Sequence, residues 1–323
     1  MRVVSVPAAK FVAIAAALVA TFLVVGCAPQ TAPVTSHRSL VRRAAATTER
    51  VEVVPDLTYG VADGVALQLD ICRPVSRPGV ALALRPAIIS IHGGSWMEGD
   101  KAEPQWRDIC TWLASQGYIA ASVDYRLAPK YRYPDEISDV ERAVEWLRAP
   151  AEVKRFDIDP ALIGAFGGSA GANLAALLGT EGSGALDRGH RVAAVTELSG
   201  PADLTATGAE TPLIRDRELS YLGCRSFVDC PQDAAASPID SVDSSDPPFL
   251  ILHSQDELIP LSQSIRFSDR LRAEKVPVTL VVVPGTLHSI AMLTPALRAR
   301  IIDFFRSTLV HHAPSTSTPT SIS

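Results

Sequence analysis

Gly167-Gly168-Ser169-Ala170-Gly171 holds a serine between small residues at the spacing of a nucleophile elbow. The apolar run 162–166 precedes it and an Ala- and Leu-rich stretch, 172–178, follows, so Ser169 would stand on a tight strand-to-helix turn. A serine hydroxyl attacks poorly until an imidazole takes its proton. Pro284-Gly285-Thr286-Leu287-His288, after the apolar run 278–283, offers an imidazole that can act near neutral pH. His92-Gly93-Gly94-Ser95-Trp96, after the run 87–91, is a glycine-rich loop whose backbone N–H groups can hold a developing oxyanion. A lone Gly-x-Ser-x-Gly arises by chance in roughly one chain in ten of this length, so its neighbours decide its meaning.

Those neighbours form an ordered series. His92-Gly93-Gly94-Ser95-Trp96 with Gly99-Asp100-Lys101, Asp124-Tyr125-Arg126-Leu127-Ala128-Pro129, Asp159-Pro160, the elbow, and Pro247-Pro248-Phe249-Leu250 follow one another along the chain. Together they resemble the α/β-hydrolases with an HGG-type loop, specifically the hormone-sensitive-lipase-like esterases and the bifunctional feruloyl/acetyl-xylan esterase group. The likeness covers most of residues 60–305. It implies a serine carboxylesterase that works through an acyl-enzyme and needs no cofactor, with Ser169 as nucleophile and His288 as base. Triad partners in this fold run Ser, then Asp or Glu, then His. In His253-Ser254-Gln255-Asp256-Glu257-Leu258-Ile259-Pro260 the resemblance assigns the acid to Asp256, four residues before the proline. Glu257 and Asp203 stay open as alternative acids, and His253 as a rival base. By the same resemblance the N–H groups of Gly94, Ser95 and Ala170 form the oxyanion hole, with a shift of one residue to Gly93 left open. Ser95 stands where the family has a third glycine; its N–H survives, while its side chain narrows the pocket. His92 is expected to brace its loop, and Arg126 and Asp139 to hold loops by ion pairing.

Positioning these loops requires a sheet. Val65, Leu67, Leu69 and Ile71 alternate with Ala66, Gln68 and Asp70, a half-buried edge strand that a turn at Gly60, Asp63 and Gly64 pairs with a strand near 51–54. The runs 87–91, 118–123, 162–166, 192–198, 249–252 and 278–283 are nearly continuous in apolar residues, as strands buried on both faces are. Helical stripes lie between and after them, at Ile137, Val140, Val144 and Leu147 and at Leu297, Ile301 and Phe304. The expected fold is α/β: a mostly parallel, doubly wound sheet with an antiparallel N-terminal hairpin, an α/β-hydrolase domain over 49–312. Residues 200–246 break the alternation and are expected to form a small lid insertion.

The chain has 323 residues, 47% hydrophobic and 20% charged, with a formal net charge of -5. Without a basic stripe it has no electrostatic footprint for nucleic acid. Arg2 and Lys10 supply a positive segment ahead of the apolar stretch 11–25, which is too short for a membrane span and suited to a signal peptide over 1–26. Val24-Val25-Gly26-Cys27 resembles a bacterial lipobox, which implies lipidation of Cys27 and an exported, membrane-anchored enzyme on a tether over 27–48. Residues 313–323, nearly free of apolar side chains, are expected to be disordered. In an oxidising compartment Cys224 and Cys230, six positions apart, are close enough to join. Cys110 reads as a buried free thiol, Cys72 has no evident mate, and no Cys/His spacing suggests a metal. The expected partner is a small-molecule or glycan ester with a short acyl group, acetyl among them. Two other readings stay open: an amide hydrolase like the arylformamidases, which share His-Gly-Gly-x-Trp, and a catalytically silent binding module.

Overall fold

In the computed structural model, which describes residues 50–75, 83–208 and 211–309, two long strands come first, β1 (Val51–Ala62) and β2 (Val65–Pro74). Asp63 and Gly64 join them, both with positive φ, as a two-residue hairpin turn demands. The chain then alternates: β3 (Arg85–Ile91), α1 (Pro104–Ser115), β4 (Ile119–Val123), α2 (Asp135–Arg148), α3 (Pro150–Phe156), β5 (Ile158–Gly168), α4 (Ala170–Thr180) and β6 (Ala194–Leu198). An insertion carries α5 (Pro212–Leu222) and the short α6 (Pro238–Ser241). The alternation resumes with β7 (Phe249–Ser254), α7 (Leu261–Ala273), β8 (Val278–Val283) and α8 (Pro295–Thr308). The expected leader, tether and tail, Cys27 among them, lie outside the described residues.

All eight strands form one sheet in the order β1-β2-β4-β3-β5-β6-β7-β8. β2 pairs antiparallel with β1 and with β4, and every later pairing is parallel. Side chains alternate between two apolar layers, as strand geometry requires. Leu69, Ile71, Ile89, Ile91 and Ala165 face one layer with α2, α4 and α7. Cys72, Ile88 and Phe166 face the other with α1 and α8. The stripe Ile137, Val140, Val144 and Leu147 is buried in α2 as its spacing predicts. In α8 the buried face is Ile301, Ile302 and Phe305, one residue round from the expected stripe, because Phe304 is only partly covered. Helix α4 is buried along its whole length, which its small and aliphatic residues permit.

The cysteines depart from expectation at Cys110. It is not a free thiol: a disulfide joins it to Cys72, with the Cα atoms 5.7 Å apart. Cys72 points to the sheet face that α1 covers, so packing of a helix on a strand 38 residues away supplies the mate. Cys224 and Cys230 are joined as well. In the loop-closure picture a 38-residue separation is worth about 4 kcal/mol and a six-residue one about 2 kcal/mol. Replacing Cys72 and Cys110 together by Ala should therefore lower the melting temperature by about 10 °C, roughly twice the effect of replacing Cys224 and Cys230. Equal, small shifts in thermal denaturation would contradict this.

Candidate active site

Strand β5 ends at Gly168, and α4 begins at Ala170. Ser169 is the single hinge between them, at φ 57° and ψ -124°, a conformation that costs a non-glycine residue about 1–3 kcal/mol. The turn is held by the Ser169 N–H, which donates to the Leu198 carbonyl at 2.8 Å, and by α4, whose Ala172 and Asn173 N–H groups donate back to the Ser169 carbonyl. The serine therefore stands at the carboxyl end of the sheet and at the positive end of a helix.

The His92 loop runs directly against it. A Cβ placed on Gly93 would lie 2.7 Å from the Gly168 carbonyl oxygen and 3.2 Å from the Ser169 Cβ. Gly94, Ser95 and Trp96 all have positive φ, and the Gly94 carbonyl accepts from Met97 and Glu98, closing the loop on itself. Ser95, Trp96, Ser169 and Ala170 share one cleft with Pro201, Leu213, Ile214, Arg217, Leu258 and Ile259. Among the described residues the N–H groups of Gly94, Ser95 and Ala170 meet no protein acceptor. Ser95 and Ala170 thus bring unfilled donors to the wall that holds the serine.

His92 is buried and stacks on Tyr125 at 4.4 Å, and its Nδ1 donates to the Gly93 carbonyl at 2.8 Å. Burial depresses its pKa to about 4, so it stays neutral and braces the loop. Farther out, the Lys101 ammonium lies among Asp56, Asp70 and Asp124, tying the same segment to β1 and β2. Arg126 grips Asp139 with Nε at 2.8 Å and Nη2 at 3.0 Å, the loop-holding pair expected of those two residues.

The histidine loop is drawn to the elbow from behind. A Cβ on Gly168 would fall 2.1 Å from the Ser289 Oγ, so only glycine lets the two loops approach this closely. The Ser289 N–H donates to Ser199 Oγ at 3.0 Å, and Ser254 Oγ donates to the Leu287 carbonyl at 2.5 Å. His288 is about a quarter exposed and also lines a neighbouring groove with Gln105, Asp108, Ile109 and Arg298.

The carboxylate that meets His288 is Glu257, through Oε2 and the imidazole Nδ1. Asp256 does not take that position: it is exposed, and its N–H donates to the Gly285 carbonyl at 3.0 Å. The turn after β7 leaves Asp256 facing outward and carries Glu257 under the imidazole. The Glu257 side chain is fully buried, and its other oxygen, Oε1, lies 3.1 Å from His253 Nε2 and 3.3 Å from the Ser254 N–H. His253 is buried too, so it is closed to substrate as a base. Its Nε2 donates to the Ile259 carbonyl at 2.8 Å, its Nδ1 accepts from Ser264 Oγ at 2.7 Å, and burial lowers its pKa. Asp203, the other alternative acid, is occupied by Thr205 and Arg266.

Sequence reasoning missed Glu197, buried at the end of β6. Its Oε2 accepts from the Gly200 N–H at 2.9 Å, bracing the turn that carries Ser199 and Pro201. Burial, and then the charge of Glu257, push its pKa up to about 8, so it remains protonated near neutrality. A buried acidic residue within a strand rich in Val and Leu was the available signal.

This sheet order, with a serine at the β5–α4 turn and an imidazole–carboxylate pair on the loops after β7 and β8, is that of an α/β-hydrolase. The sequence pattern of the BD-FAE family matches residues 69–271, more than half of the chain, and the chain belongs to that family. Two Mycobacterium tuberculosis proteins are similar to it. LipM, named as a carboxylic ester hydrolase, is 31% identical over 76% of this chain and 58% of its own. The esterase LipC is 34% identical over 74% of this chain and 60% of its own. The chain thus spans about six-tenths of the length of these relatives. A solved structure described as a truncated carbohydrate esterase from gut microbiota shares the fold, with a TM-score of 0.69 and 24% identity over 82% of this chain and 98% of its own.

Because Glu257 holds the imidazole, Glu257→Gln should slow fluorophosphonate labelling of Ser169 by about 10³-fold or more. Asp256→Asn should leave the labelling rate within about twofold, as expected of an exposed side chain. The reverse ranking would restore Asp256 as the acid.

Proposed function

We propose that this chain is an exported serine carboxylesterase that hydrolyses short-chain acyl esters, acetyl esters among them. The observation that carries the reading is the cleft itself: a strained serine beside unfilled N–H donors, with a histidine–carboxylate pair on the loops after β7 and β8 packed behind it. Ser169 attacks the ester carbonyl, and His288 takes its proton and returns it to the leaving alcohol. Glu257 fixes the imidazole tautomer and stabilises its charged form. The N–H groups of Ala170 and Ser95, with that of Gly94, receive the oxyanion, each worth about 2.7–4 kcal/mol in the transition state. Water activated by His288 then releases the acid from the acyl-enzyme, and no step calls on a cofactor.

The names of LipM and LipC support ester hydrolysis. A cleft with a cavity of about 100 Å³, walled by Trp96, Ile214 and Ile259, supports small acyl groups over long chains. The carbohydrate esterase that shares the fold makes acetylated glycans a reasonable class to test.

On para-nitrophenyl esters, kcat/KM should peak between acetyl and butyryl and fall for longer chains, and Ser169→Ala should abolish turnover. Rates rising steadily to long chains, with activation at an interface, would replace this reading with a lipase. The exported, lipid-anchored placement rests on residues 1–27. Cys27→Ala should move the protein from the membrane fraction to the soluble one, and an unchanged distribution would remove the anchor from the account.

A further inference from the structure

Among the described residues, Arg217 is the only charged one lining the cleft that holds Ser169. It sits on α5 one turn after Leu213, which shares the cleft, and one turn before Tyr221, which is fully buried. Tyr221 stacks on Trp96 with ring centroids 4.4 Å apart and planes within 5°. Thr211 Oγ accepts from the Ile214 N–H at the start of the helix, and Gly223 ends it in the left-handed conformation. The helix is therefore pinned to the oxyanion loop, and the position of Arg217 over the cleft is set by the fold.

What this guanidinium lacks is a counter-charge. Arg107, Arg126, Arg191, Arg266 and Arg298 each pair with an aspartate. Arg217 has no such pair among the described residues. Among the described residues its one hydrogen bond is Nη1 donating to Met97 Sδ at 3.3 Å, and a thioether is a weak acceptor. Its sequence neighbours do not serve it: Asp216 is exposed, and Glu218 is buried with both oxygens unpartnered and a pKa raised to about 8 by burial. A half-buried planar fork of donors, aimed at a cleft of otherwise apolar and hydroxyl groups, matches a carboxylate.

We infer that the cleft accepts esters bearing a carboxylate away from the scissile bond, and that Arg217 binds this group. The inference rests on the ester-hydrolase reading above and narrows its substrate class. A single cation balances the single charge of a carboxylate. A phosphate monoester, carrying about -1.5 to -2 near neutral pH, would need a second cation, and the described residues of the cleft provide none. Arg217 thereby sets specificity without touching the reacting atoms.

The test compares acid and neutral forms of matched esters. One pair, para-acetoxybenzoate and its methyl ester, puts the charge on the alcohol side. The other, the para-nitrophenyl half-ester of glutaric acid and para-nitrophenyl valerate, puts it on the acyl side. In at least one pair, the ratio of kcat/KM for the acid to that for the neutral ester should fall about tenfold in Arg217→Gln, and Arg217→Lys should recover part of it. Added salt should depress the wild-type ratio and leave that of Arg217→Gln unmoved. A ratio identical in wild type and Arg217→Gln for both pairs would overturn the inference while leaving ester hydrolysis standing. A wild type inert toward all four esters would overturn both.

Discussion

A carboxylate sealed from water must have donors for its oxygens or give up its charge, and the loops around the candidate site are arranged to satisfy one such group. The Glu257 side chain is fully buried, with His288 on one oxygen and the Ser254 N–H on the other, which also lies 3.1 Å from the His253 ring. The two donors belong to different supports. His253 and Ser254 are the last residues of β7, and His288 hangs on the loop after β8. Satisfying Glu257 therefore fastens the ends of two adjacent strands to each other. It also gives the imidazole the tautomer that leaves its second nitrogen free to accept a proton.

The opposite wall is governed by approach distance instead of charge. Gly93 and Gly168 let two loops come nearer to the serine than any side chain would allow. The His92 loop is braced behind by the His92–Tyr125 stack and by Lys101 among its aspartates. Helix α5 closes over the top through Trp96 and Tyr221. One aromatic pair thus links the glycine-rich loop to the helix that carries Arg217, so the proposed oxyanion donors and the proposed carboxylate site share a common support.

Much of this was legible in the residues, and the failures have physical causes. Buried parallel strands announce themselves as unbroken apolar runs, so the sheet and its hairpin could be read from one dimension. The elbow and the glycine-rich loop were readable because their backbones tolerate few alternatives. Asp256 and Glu257 were not separable in that way: both are acidic, they are adjacent, and only the course of the turn decides which one points inward. Cys72 and Cys110 were hidden for a different reason, since their partnership depends on which face of β2 the helix α1 covers. Arg217 meets Met97, 120 residues away, which spacing alone does not encode; Glu197 and His253 meet near neighbours, Gly200 and Glu257, and only the fold shows that these side chains are buried.

The central claim is that the Nδ1 proton of His288 is shared with Glu257, and proton NMR observes that proton directly. A hydrogen bond between a buried carboxylate and an imidazole should give one resonance far downfield of the backbone amides. The account predicts that it is present in the wild type and in Asp256→Asn and lost in Glu257→Gln. A resonance that survives in Glu257→Gln and disappears in Asp256→Asn would contradict it.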